Sequence, residues 1–209
     1  MIIQMIKKYS VLICLVTSVI LIVIATLGYS GGSLLDKNSI GFNWSKNFIS
    51  NLFAPKAING SENSYRIWAI IGMAFHSVGY GLFFINMSKK ITQRQLSGAL
   101  KFIGVANIIL IFLIATPLHD LGTLSIILTL AGLFTITVFI LMSKLHFLKF
   151  CCILCLLTYY GFFSVFGLGY LDLAIIMQKV YIVSSILLVL GLEYFTKSED
   201  FKAIKSGRQ

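Results

Sequence analysis

Charge is scarce in this sequence. Asp, Glu, Lys and Arg make up 11% of its 209 residues, where a soluble domain carries about 25%. The acidic residues are scarcer still, seven against seventeen Lys and Arg. That excludes the solvated surface of an ordinary soluble domain. Two prolines and no Ser- or Gln-rich tract exclude a flexible linker between domains, so residues 1–209 read as a single membrane domain. The four cysteines, Cys14, Cys151, Cys152 and Cys155, lie in or beside apolar segments. None is placed to staple a loop outside the membrane, which excludes a disulfide framework. The run CCILC has no other ligand type near it and reads as small apolar filler. There is no Walker loop and no GxSxG, and the GLG at 167–169 is too short for a nucleotide fingerprint. No cofactor is implied. No internal repeat appears either, so the inverted-repeat plan of many transporters is not supported.

What the sequence does have is long apolar runs. Apolar residues make up 58% of the chain, and the mean hydropathy is +0.93. The runs predict six spans over 11–28, 67–87, 96–116, 123–142, 150–168 and 175–195. Each is close to the ~20 residues that ~30 Å of hydrocarbon requires at ~1.5 Å per residue. The first run is long for a secretory signal, and TLGYSGG is a poor cleavage site, so it reads as an uncleaved helix.

The net charge of +10 does not point to nucleic acid, because the basic residues sit at the ends of apolar spans without interleaved aromatics. It orients the chain instead. Twelve Lys and Arg fall on the side of Lys7 and Lys8, and four (Lys37, Lys46, Lys56 and Arg66) fall in loops on the other. The excess predicts both termini in the cytoplasm, with residues 29–66 as an outer loop and 196–209 as a cytoplasmic tail. The fold class expected is therefore all-α, an N-in/C-in bundle of six transmembrane helices. In the long loop, GFNWSKNFISNLFAP spaces its apolar residues for a short interfacial helix, with Trp44 at headgroup depth and Pro55 ending it. A loop packed over the bundle is the compatible alternative.

Strongly polar side chains at membrane depth are costly, and each needs a reason. His76 lies ten residues in from Arg66, about 15 Å deep at ~1.5 Å per residue. Asn107 is at comparable depth. His119 and Asp120 stand at the mouth of the third span, and Asp172 and Lys179 near the start of the sixth. Topology gathers these residues at one face, with Ser50 and Asn51 of the long loop above them.

Three chemistries compete for this cluster. His76, His119 and Asp120 have the types to ligate a metal that activates water for lipid hydrolysis, although no HxxxH or HExxH pair fixes two ligands on one helix face. Alternatively, the cluster binds a membrane lipid headgroup or small amphiphilic ligand without chemistry, Arg66 or Lys179 holding an anionic part. In the third, the groups are structural. Asp120 then caps the fourth span or pairs with Arg66 or Lys179, and His76 bonds Asn107 or a backbone carbonyl. The sequence leaves oligomeric state open.

NFISNLFAP, the basic loop after the second span, and TPLHDLGTLSIIL opening the fourth resemble uncharacterised bacterial six-span membrane proteins grouped as a domain of unknown function. These are distantly related to the Frag/DRAM/Sfk-like membrane proteins. The resemblance implies a Ser-acidic-Leu-Gly motif after the first span and a His at the start of the fourth. Ser50 and Leu52 match the former, Asn51 and Phe53 depart from it, and His119 matches the latter. It implies a fold and a membrane location, and no reaction.

Overall fold

The computed structural model describes residues 2–201. They form α1 (Ile2–Leu27), α2 (Arg66–Lys90), α3 (Arg94–Leu113), α4 (His119–Met142), α5 (His146–Gly167) and α6 (Leu171–Phe195), with a five-residue 3₁₀ helix, Ile49–Phe53, inside the long connector. All six α-helices are long and apolar enough to cross a membrane, the architecture of a multi-pass membrane protein. The bundle carries many lipid-type residues on its outside, among them Ile20, Phe102, Ile127 and Leu187. That is the inverse of a soluble surface and the expected face toward hydrocarbon.

All six helices begin earlier than the apolar runs do. α4, for example, starts at His119 and α6 at Leu171, four residues before the hydropathic edges at 123 and 175. A helix's first turn carries free N–H groups that polar surroundings satisfy, so polar residues extend it without entering hydrocarbon. α3 ends early, at Leu113, and Ile114, Ala115 and Thr116 continue as a tight turn of i→i+3 bonds ahead of Pro117, which cannot donate to a helix ladder.

Short turns make consecutive helices antiparallel neighbours. The α5–α6 turn shows how the chain reverses. Gly169 takes φ +80°, its N–H bonds Phe166 O, and the Tyr170 N–H reaches back to Val165 O. This is a complete Schellman cap, and it explains the GLG.

Between lipid-covered helices there is no hydrophobic driving force, so close packing of small residues has to supply the adhesion. α2 does this on two faces. A Cβ on Gly72 or Gly79 would press on Ser18, Leu21 or Leu15 of α1. On the other face Gly81 meets Gly104 of α3 backbone to backbone, each glycine facing the other's carbonyl. α2 is also tied to α6, where the Tyr80 and Ser185 hydroxyls bond at 2.6 Å and the Asn86 amide donates to Glu193 Oε1 at 2.8 Å. Cys152 and Cys155 are buried in the main apolar core, the filler role read from the sequence. Residues 196–201 do not leave the bundle as a free tail. They turn back so that Phe201, 1% exposed, packs on Phe139. Residues 202–209, the rest of the expected tail, lie outside the described residues.

The long connector is a packed cover. The interfacial helix expected of it is a single 3₁₀ turn, and the inner face of that turn is buried through Leu52 and Phe53. It stops at Ala54, which is extended as the residue before a proline must be. Polar side chains knit the cover together. Asn47, fully buried, donates to Gly32 O at 2.7 Å and accepts the Asn43 N–H at 2.9 Å. Asn63 donates to Leu52 O and Ala54 O, and Arg66 Nε donates to Phe53 O at 2.6 Å. Gly32 sits at φ +81° with Asn59 N where a Cβ would go, so only glycine fits there.

Candidate functional site

Beneath this cover lies a cavity of ≈280 Å³, near the lower end of the range for small-molecule sites, about 300–1,000 Å³. Its roof is Trp44, Ile49, Ser50 and Phe53 of the connector. The walls are helical, from Ser18 and Val19 of α1, Met73, His76 and Tyr80 of α2, and Ile111 of α3 round to Thr129 of α4, Tyr159 of α5, and Lys179, Tyr181 and Ser185 of α6. Most of the surface is apolar or aromatic, with polar groups at a few points, as in sites that bind largely apolar ligands.

The polar groups are of two kinds. Some are satisfied within the protein. Tyr80 and Ser185 bond each other, and Gln178 Oε1 accepts the Ile49 N–H at 2.8 Å, holding the roof to α6. Thr129 Oγ1 accepts from Asn107 Nδ2 at 2.9 Å. Others retain capacity. Lys179 Nζ donates to Asn47 O at 2.7 Å and Ile175 O at 2.8 Å, and an ammonium has three donors. The one ion pair among the described residues lies elsewhere, so Lys179 has no carboxylate partner there. The His76 ring stacks on Tyr80 at 4.6 Å between centroids. Its two nitrogens make no hydrogen bond among the described residues, although the ring lines the cavity.

The structure brings together only part of the set read from the sequence. Ser50, His76 and Lys179 line the cavity. Asn107 stands one residue behind it, fully buried and bonded to Thr129; His76 is therefore not its partner. Arg66 holds the connector through Phe53 O and has no place on the cavity wall. Asn51 only closes the 3₁₀ turn, through its N–H to Phe48 O. Asp172 is exposed in the first turn of α6.

His119 and Asp120 need the largest correction. They are the first two residues of α4, exposed and paired with each other, Nδ1 to Oδ1 at 3.1 Å. Asp120 does not cap the helix, since the N-cap position is Leu118 and carries no side-chain bond. It does not pair with Arg66 or Lys179 either. Its charge near the N-terminus suits the helix dipole. Among the described residues no three His, Cys, Asp or Glu side chains converge on a metal position. His76, His119 and Asp120 therefore do not form one ligand set: His76 lines the cavity, while the other two face outward beyond it.

Sequence reasoning missed Ser18, Ser125, Thr129, Tyr159, Tyr181 and Ser185 as wall residues, and placed Trp44 in the interface instead of the roof. Ser, Thr and Tyr are ordinary in membrane helices, and only their azimuth around the bundle distinguishes these. Compared with known family models, curated proteins and solved structures, the chain matches none.

Proposed function

We propose that this chain is a multi-pass protein of a bacterial cytoplasmic membrane that binds or moves a membrane lipid or small amphiphile in the cavity under its long connector, without carrying out a reaction. The observation that carries the reading is Lys179, a half-buried cation on a mostly apolar wall, with no ion-pair partner among the described residues. An unpaired charge at membrane depth is costly. An anionic group on an otherwise apolar ligand neutralises it and fills the walls together. The nitrogens of His76 add a second polar contact on the cavity wall. Among the described residues, His76, His119 and Asp120 do not converge as the ligand set that the hydrolytic alternative needs.

The test is the lipid content of the purified protein. Wild type should retain amphiphile through detergent exchange, and Lys179→Met should lose most of it. Asp120→Ala, off the cavity, should retain it. Equal content in wild type and Lys179→Met would refute the reading. The orientation, with the connector outside, rests on the Lys and Arg distribution; reporter fusions after Met142 and at the C-terminus should both read cytoplasmic. Membership of the Frag/DRAM/Sfk-like group, on Ser50, Leu52 and His119, is part of the same proposal.

A further inference from the structure

The cavity does not stop at its own walls. Val19 and Ile186, which line it, also line a second hollow of ≈160 Å³ together with Leu15, Val16, Ile20 and Leu190. All six residues are aliphatic, and all belong to α1 or α6. Two spaces that share a lining residue on each of two helices lie end to end as an apolar tract along the α1–α6 seam, with Val19 and Ile186 between them.

The same seam opens to the bilayer. Val19 and Val183 line the cavity and are also 44% and 56% exposed, more than an enclosed wall residue would be. The one hydrogen bond between these helices among the described residues is Leu12 N–H to Tyr194 Oη at 3.1 Å. It lies beyond the second hollow, away from the connector. α1 and α6 are thus pinned at one end and joined along the tract only by aliphatic side chains, which part without breaking a polar contact.

Size and length select the occupant. An engineered cavity of about 150 Å³ holds one benzene. The two spaces here, ≈280 and ≈160 Å³, come to about three times that, which is room for the carbons of one long chain and not of two. Lys179 and Leu190 are about 16 Å apart along α6 at ~1.5 Å per residue, half the ~30 Å hydrocarbon thickness and so the reach of one leaflet's acyl chain.

We infer that the seam and cavity together form a site for a single-chain anionic amphiphile, which enters sideways from the bilayer between α1 and α6. Its head lies on Lys179, and its chain runs past Val19 and Ile186 to end between Leu15 and Leu190. The head chemistry, a carboxylate or a phosphate on one acyl chain, is common to free fatty acids and anionic lysolipids.

This inference rests on the binding reading above, and photolabelling separates the two. The full-length protein, in nanodiscs of zwitterionic lipid, is irradiated with a fatty acid carrying a diazirine at its terminal carbon, and the labelled peptides are mapped. Labels should fall on 15–20 and 186–190, whereas a diazirine next to the carboxylate should label the region of His76 and Lys179. Ile186→Trp should lower tail labelling about tenfold while the thermal transition is retained. Palmitate or a lysophosphatidate should compete, the stronger one identifying the head, and a neutral monoacylglycerol should not. Tail labels on Ile111 or Ile126 would overturn the route while binding stood. Equal competition by a two-chain anionic lipid would overturn the single-chain assignment. No labelling by either probe would overturn both readings.

Discussion

Substituting Gly104 by Ala tests the contact that sets the spacing of α2 and α3, both of which wall the cavity. A Cβ at Gly104 would lie 2.7 Å from Gly81 O and 3.0 Å from Ile85 N. Carbon–oxygen contacts between helices settle at about 3.3–3.6 Å, so the helices must separate by about 0.6 Å. Backbone atoms cannot swing aside as a side-chain tip can. A gap of ~0.5–1 Å forfeits a quarter to a half of each dispersion contact it touches, and overpacking of this kind costs about 1–3 kcal/mol. At roughly 2–4 °C per kcal/mol for a chain of this size, thermal unfolding of the detergent-solubilised protein should fall by about 2–12 °C. Gly98→Ala is the control. It lies in the same helix and meets nothing within 4 Å, so the better helix propensity of Ala, up to ~1 kcal/mol, should leave the transition unchanged or raise it. If the two variants melt together, α2 and α3 are not in backbone contact, and the argument for glycine at 81 and 104 fails.

Other expectations follow from single contacts. Asn47→Ala removes the two bonds of a buried side chain, the one it donates to Gly32 O and the one it accepts from the Asn43 N–H. Unsatisfied buried groups cost about 1–3 kcal/mol each, so limited proteolysis should cut residues 29–48 faster than in wild type. Tyr80→Phe should lower stability by about 0.6 kcal/mol and at most ~1.7, the range for hydrogen bonds between membrane helices. Tyr80→Phe with Ser185→Ala together should cost less than the sum of the singles, measured as shifts in thermal transition; strict additivity would mean the two hydroxyls do not bond. His119→Ala should leave both the thermal transition and retained lipid unchanged, and a loss of lipid in that variant would return His119 to the site.

Helix number and type were legible because hydrophobic length alone decides them, and Pro55 ended its short helix where the ring chemistry requires. That His76 and Lys179 lie within helices long and apolar enough to span was legible too. The direction in which a residue faces around the bundle was not. Arg66, Asp120, Asp172 and Lys179 all belong near the connector end, yet only Lys179 lines the cavity, because that depends on which helices pack and at what rotation. Glycine pairs such as Gly81 and Gly104 settle the rotation, and they become a pair only once α2 and α3 meet. The connector was half legible. Its apolar residues read as an interfacial helix or as a loop packed over the bundle, and Leu52 and Phe53 are buried as in the second, with Asn63 and Arg66 supplying the polar bonds that hold the segment inward.

The bond from Lys179 to Asn47 O also makes two distant surfaces share one free energy. The ammonium that would receive a ligand's head is the same group that fastens the cover, and Gln178 beside it holds Ile49. A ligand that draws Lys179 away loosens the cover, and a protein or antibody that clamps the cover changes the affinity below. Linkage requires the two effects to be equal in factor, so proteolysis of residues 29–48 becomes a readout of occupancy in the cavity.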